Sequence, residues 1–322
     1  MKAMCIEQYG GPEVIQPVEL ENPLPQAGEV LVRVKRAGLN FIDIYQRTGL
    51  YKNPLPFVPG NEAAGVVEAV GAGVRDVEPG SRVAFAMHPG AFAELVCVPA
   101  AKVVTVPDGI DFTMAAAIML QGMTAHYLTH HTFPLQPGHT ALVHAAAGGT
   151  GRLLVQMAKG RGARVIATVS TEEKGAIARQ AGADEVINYV EEDFSERLEK
   201  LGIRPDVIYD SVGQATFAKG LACLKPRGYM VLFGQASGPV APLNPAVLAA
   251  SGSVYLTRPS LAHYMAERRE LEERSNDIFR WIREGTLQVA VAAVFPLAET
   301  AQAEVALESR RYSGKIVLAV AD

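Results

Sequence analysis

The run H-A-A-A-G-G-T-G at residues 144–151 follows an apolar strand pattern, 140–146, and opens into a helical one. Close-set glycines at a strand-to-helix turn let backbone N–H groups approach a pyrophosphate, and the helix N-terminus adds partial positive charge. Gly148, Gly149, Thr150 and Gly151 are therefore the candidate phosphate cradle of a dinucleotide site. Against the G-x-G-x-x-G pattern, Ala146 stands where the first glycine would be. The strand before the turn and the helix after it carry more of the inference than the motif does.

The next strand pattern, 163–169, ends where a fold specific for NAD places a carboxylate to hold the ribose 2′-hydroxyl. No carboxylate stands there. Ser170, Thr171 and, one turn on, Lys174 offer hydroxyls and a cation that suit a 2′-phosphate, which favours NADPH. The same residues also read as a plain helix start, with Ser170 as cap and Glu173 completing a capping box. Capping and phosphate binding are compatible.

The full chain of 322 residues sets the scale. Its length predicts about two domains at roughly 150 residues each, and 49% hydrophobic residues suffice for two cores. A net charge of −4 with no basic block makes nucleic acid an unexpected partner. No stretch approaches the roughly 20 unbroken apolar residues of a membrane span, so no membrane partner and a soluble, cytoplasmic protein are expected. Three scattered cysteines, Cys5, Cys97 and Cys223, form neither a disulfide framework nor a C-x-x-C knuckle.

From the N-terminus to about Pro107, short strand patterns at 29–34, 63–70, 82–86, 92–98 and 103–106 are broken by Gly and Pro, which reads as a compact β barrel or folded sheet. A helical pattern covers 111–133. Six strand patterns follow at 140–146, 163–169, 185–189, 206–210, 229–233 and 253–256, most separated by helical segments, the signature of a doubly wound parallel sheet. Beyond them come a charged helix at 263–284, a strand near 289–295 and a closing strand at 315–320. These exceed what a six-stranded nucleotide fold needs. The expected division is a catalytic domain at 1–120 and 259–322 and a nucleotide-binding domain at 121–258, with the active site in the cleft between them.

The chain resembles the zinc-free quinone oxidoreductase, or zeta-crystallin-like, family of the medium-chain dehydrogenase/reductase superfamily. The residues carrying the resemblance run its whole length: G-L-N-F-I-D at 38–43, the Y-x-R-x-G-x-Y-like run at 45–51, P-G-N-E-A-A-G at 59–65, A-A-A-G-G-T-G at 145–151, V-I-N-Y at 186–189, Y-D-S-V-G at 209–213 and T-R-P-S-L at 257–261. The resemblance implies an α/β protein with a GroES-like β-rich catalytic domain, a Rossmann domain with a six-stranded parallel sheet, NADPH and a homodimer. It places Asn40, Tyr45 and Tyr51 on the substrate side, Asn40 hydrogen-bonding an acceptor oxygen or a ribose hydroxyl. It also places Thr124 near the nicotinamide, and Tyr189, Arg258 and Arg310 with the cofactor phosphates. Phe233 and Gly234, at the end of the fifth strand, are expected against the nicotinamide ribose, because ligands sit outside the carboxyl ends of parallel strands.

Zinc alcohol dehydrogenases belong to the same superfamily. Positions resembling their metal ligands hold Asn40, Asn61 with Glu62 beside it, and Gln121, and amides are poor zinc ligands. His126 and His130, four residues apart on a helical pattern, lack the glutamate of H-E-x-x-H. No metal is expected. A quinone needs none, because it delocalises the incoming charge, so the protein has mainly to position a hydride donor and exclude water. Reduction of α,β-unsaturated ketones or aldehydes is the alternative within enzymes, and a non-enzymatic NADPH-binding protein is the alternative outside them.

Overall fold

A computed structural model describes residues 1–321. They form two compact units, one made of Met1–Met123 together with the segment from Met265 onward, the other of Thr124–Tyr264. The architecture is the α/β one expected, a β-rich unit and a doubly wound one.

In the first unit the strand Glu29–Gly38 is the hub. Val30, Leu31 and Val32 are buried in succession, and from there the strand alternates, with Val34 buried between the partly exposed Arg33 and Lys35. The sheet order is Val291–Pro296, Lys315–Ala319, Glu29–Gly38, Glu62–Val70, Arg82–Ala86 and Val103–Thr105, with Leu95–Pro99 also pairing the hub strand. Lys315–Ala319 runs antiparallel to the hub, Val317 opposite Gly38. Val32, Val34, Phe85, Phe92, Ile316 and Leu318 lie in one core cluster, each such side chain worth about 1.5–3 kcal/mol.

Three elements differ from the sequence reading. A hairpin of Lys2–Ile6 with Ile15–Glu19 escapes it, because Pro17 and the solvated side chains of the second strand hide the alternation. A helix, Phe41–Arg47, forms directly after Asn40, whose backbone N–H donates to the Asp43 carboxylate at 2.8 Å. The charged helix expected at 263–284 is broken into Leu261–Tyr264 and Arg268–Arg283, with Glu267 extended at the second start.

In the second unit the parallel sheet has the order Glu185–Asn188, Arg164–Val169, Thr140–Val143, Val207–Asp210, Tyr229–Leu232 and Tyr255–Thr257. Numbered along the chain this is 3-2-1-4-5-6, so the strand order reverses between Thr140–Val143 and Val207–Asp210. Dinucleotides bind at that reversal, beyond the carboxyl ends of the strands. The helix expected at 111–133 is α-helical over Phe112–Tyr127 and ends in a wider π-type turn, Leu128–Thr132. The Tyr209 hydroxyl donates to the Leu128 carbonyl at 3.1 Å, a second bond on an acceptor that already takes the Phe133 N–H closing this turn.

Candidate active site

At the reversal point, the turn after Thr140–Val143 carries Ala145 in the left-handed region, φ 53°, and enters the helix Gly149–Gly160. Gly148 is the N-cap and has no side chain to cap with. The helix therefore offers bare N–H groups and its positive end to an anion. Gly151 is required for close packing: a Cβ there would stand 2.3 Å from the Ala145 carbonyl oxygen and 2.9 Å from Ala146 Cα. Gly148, Gly149 and Thr150 are partly open to solvent.

Beyond the neighbouring strand, Thr171 rather than Ser170 caps the helix Glu172–Gln180, its side chain accepting the Lys174 N–H. This corrects the expected cap, and its effect is to leave Ser170 to another role. The Lys174 ammonium lies 3.4 Å from the Ser170 hydroxyl. Glu172 is bound to Arg179 at 2.5 Å, which holds its carboxyl below the usual range and gives its charge a partner of opposite sign. Tyr189, exposed, is tied to the same strand end by its N–H on the Val169 carbonyl. Ser170, Lys174 and Tyr189 thus gather at two adjacent strand ends.

At the other side of the sheet Arg258 donates to the Leu232 carbonyl at 3.0 Å, which brings it to the strand end that carries Phe233 and Gly234. Gly234 permits a tight approach, because a Cβ would meet Ser211 O at 2.6 Å. Thr124 is buried in its helix. Arg310 belongs to the first unit, exposed and left-handed (φ 54°) just past the helix Thr300–Glu308.

Sequence reasoning missed Asp210. Its Oδ1 accepts the N–H groups of Val212 and Gly213 and its Oδ2 the Thr216 hydroxyl, so it shapes the turn after the fourth strand. The D-S-V-G pattern, an acid before a glycine turn, was the available signal.

In the first unit the predicted substrate-side residues converge. The rings of Tyr45 and Tyr51 meet edge to face at 5.3 Å, and Phe41, unforeseen, lies 6.2 Å from Tyr45. Together they make a partly exposed aromatic shelf on Phe41–Arg47 and the loop after it.

Asn40, which precedes that helix, is buried and densely bonded. Its Nδ2 donates to the Gly38 carbonyl at 3.1 Å and to Glu62 Oε2 at 2.9 Å, and its Oδ1 accepts from the Lys315 ammonium at 2.7 Å. The expectation that it bonds freely to a substrate or ribose oxygen is thereby narrowed. Both N–H groups are committed, and only the second lone pair of Oδ1 remains. Lys315 also pairs with Glu62 Oε2 at 2.5 Å. Glu62 Oε1 accepts the Leu120 N–H at 2.6 Å, and Asp43 accepts from Asn61 Nδ2 at 2.7 Å. Burial pushes Asp43 up to about 7, against the lowering effect of its bond from Asn61.

A β-rich unit formed from both arms of the chain, with a nucleotide fold whose glycine turn lies at the strand reversal, defines a medium-chain dehydrogenase/reductase. Residues 149–279 match the family described as zinc-binding dehydrogenase, and residues 26–108 the alcohol dehydrogenase GroES-like domain. The chain is 45% identical to the quinone oxidoreductase of Pseudomonas aeruginosa, over 98% of this chain and 99% of the relative. It is 42% identical to a 2-haloacrylate reductase of a Burkholderia species, over 98% of each. The solved structure of Escherichia coli quinone oxidoreductase complexed with NADPH superposes with a TM-score of 0.97 at 43% identity, covering 99% of this chain and 100% of that one. The chain belongs to the quinone oxidoreductase family and is an oxidoreductase.

The zinc implied by the broader family's description does not fit these residues. The counterpart positions supply amides, and the one carboxylate beside them, Glu62, already accepts on both oxygens, from the Leu120 N–H at Oε1 and from the Asn40 amide and the Lys315 ammonium at Oε2. His126 and His130 stack ring on ring at 4.3 Å, an arrangement that does not converge their nitrogens on one point. Among the described residues, no group of three or more His, Cys, Asp or Glu is placed to hold a metal ion.

Proposed function

We propose that this protein is an NADPH-dependent, metal-independent reductase that transfers a hydride to a quinone. The observation that carries the reading is the meeting of the Lys174 ammonium with the Ser170 hydroxyl at the strand end, beside a bare glycine turn. A 2′-phosphate would find a cation and a donor there, and a pyrophosphate would find the helix N-terminus. The relative solved with NADPH supports the same cofactor.

The bound cofactor supplies the hydride. Gly148, Gly149, Thr150 and Gly151 would hold the pyrophosphate. Tyr189 and Arg258 would add contacts to the adenosine phosphate, with Arg310 as a further cation for it. Phe233, Gly234 and Thr124 would line the nicotinamide ribose end. On the acceptor side, Tyr45 and Tyr51 with Phe41 give a flat apolar wall for a planar ring, and the phenols give donors at its rim. Asn40 would meet the reactants through its remaining Oδ1 lone pair. No Lewis acid is required of the protein, because the acceptor itself spreads the developing charge.

Reduction of an activated alkene is the second reading, favoured by the 42% identity to a 2-haloacrylate reductase. It uses the same hydride geometry on a differently shaped acceptor. We further read the protein as a cytoplasmic homodimer joined through the edge strand Tyr255–Thr257. Tyr255 there is 52% exposed and stacked on Tyr229 at 4.6 Å, an apolar edge that pairing with a second copy would cover.

The test is to follow loss of NADPH and of NADH absorbance against a panel of quinones and activated alkenes, with and without a chelator. The reading expects NADPH to be preferred, quinones to be turned over and the chelator to have no effect. Tight NADPH binding without turnover of any acceptor would favour a non-enzymatic binding protein.

A further inference from the structure

Lys315 comes to Asn40 from 275 residues away, and its side chain is 1% exposed. Burying an ammonium costs several kcal/mol unless it is paired, and a well-packed apolar group often serves stability as well or better. Stability alone is thus a weak reason for a lysine here. What a charged pair can do, and an apolar one cannot, is to orient an amide. An ammonium only donates and a carboxylate only accepts. With Lys315 Nζ on one side of the Asn40 amide and Glu62 Oε2 on the other, one of its two flip states satisfies every bond, and the reverse state sets N–H against N–H and oxygen against oxygen.

The same carboxylate reaches further. Glu62 Oε1 holds the Leu120 N–H, one turn before Thr124 on the helix Phe112–Tyr127. Gly38 is pressed into this contact: a Cβ there would meet Ala116 O at 2.2 Å and Glu62 Oε2 at 2.4 Å. The loop before Asn40, the helix turn at Leu120 and the C-terminal strand are therefore locked by one ion pair.

We propose that Lys315 is a positioning residue for hydride transfer, fixing with Glu62 the flip state of Asn40 so that an oxygen lone pair, and not an N–H, is presented to the reactants. This rests on the reductase reading above. With its ammonium buried against Asn40 and Glu62, Lys315 acts through Asn40.

The experiment compares Lys315→Met, Lys315→Arg and the charge-balanced double variant Lys315→Met with Glu62→Gln, using the best acceptor from the panel. Lys315→Met should lower kcat on the order of 10- to 100-fold, the scale of a misplaced reacting geometry. NADPH affinity, read by fluorescence titration, should change by less than about threefold. Lys315→Arg, also a pure donor, should recover most of kcat. The double variant should regain melting temperature while kcat stays low. Wild-type kcat in Lys315→Met, or recovery of kcat together with stability in the double variant, would overturn the proposal and leave Lys315 a charge-balancing residue.

A second readout separates this proposal from the reductase reading. The Asn40 side-chain amide protons, followed by NMR, should exchange with solvent at least about tenfold faster in Lys315→Met than in the wild type. Such acceleration with no acceptor turned over by the wild type would sink the reductase reading and leave the lock standing. Unchanged exchange would sink the lock.

Discussion

Arg47 Nε lies 2.6 Å from Glu304 Oε2, with both side chains closed to solvent. The Arg47 guanidinium has a second carboxylate, Glu308, at 2.7 Å. One anion balances the arginine, and burial pushes Glu304 up to about 8, with the Arg47 charge working in the opposite direction. Asp43 is raised to about 7 in the same unit. Both groups hold protons in the folded state that the unfolded chain has already released above its ordinary carboxylate values, so the folded state binds more protons between about pH 4 and about pH 8. Stability then falls as pH rises through that window. The melting temperature should drop by at least about 3 °C from its acid side to its alkaline side. Glu304→Gln should flatten the dependence, and a wild-type melting temperature that rises with pH would refute the assignment.

Gly151→Ala should cripple cofactor binding. The added methyl has no room beside the Ala145 carbonyl, and the turn must open to admit it. A strain of about 1–3 kcal/mol is expected, and NADPH affinity should weaken by at least about tenfold. Fluorescence titration checks this, with melting temperature recorded on the same samples.

Lys174→Ala should erode the preference between the two nicotinamide cofactors. A charge-assisted bond is worth about 1.5–3 kcal/mol, so kcat/KM for NADPH should fall on the order of 10- to 100-fold while that for NADH holds. Equal losses with both cofactors would mean that Lys174 serves the helix start and not the phosphate.

Tyr45→Phe combined with Tyr51→Phe keeps the aromatic wall and removes both phenols. The ranking of acceptors should shift, while turnover of the most electrophilic quinone stays within about tenfold of wild type. Complete loss of hydride transfer with NADPH still bound would show that a phenol is the proton donor.

The sequence carried the doubly wound sheet well, because each buried strand is an apolar run and each turn after it has its own punctuation. The glycine turn was legible for the same reason: Gly148 and Gly151 sit where backbone must approach backbone. The aromatic shelf was half legible, since Tyr45 and Tyr51 belong to one local segment, but Phe41 became part of it only once the chain coiled into Phe41–Arg47. The break between Tyr264 and Arg268 carries no Gly or Pro to announce it. Lys315 was invisible as a site residue, because nothing local in K-I-V-L-A tells a buried cation from the first residue of an exposed strand. Its meaning comes from partners far off in the chain, and such pairings leave no mark on periodicity.

The Lys315–Asn40 contact also sets an order of events during synthesis. A ribosome adding roughly 5–20 residues per second delivers the lysine about 14 to 55 s after the asparagine, which lies 275 positions earlier. Throughout that interval Glu62 and Asp43 have no ammonium to face and stay hydrated. The emerging β-rich arm must wait, open, for its last strand, and a chaperone that shields its unfinished edge has most to offer in that interval.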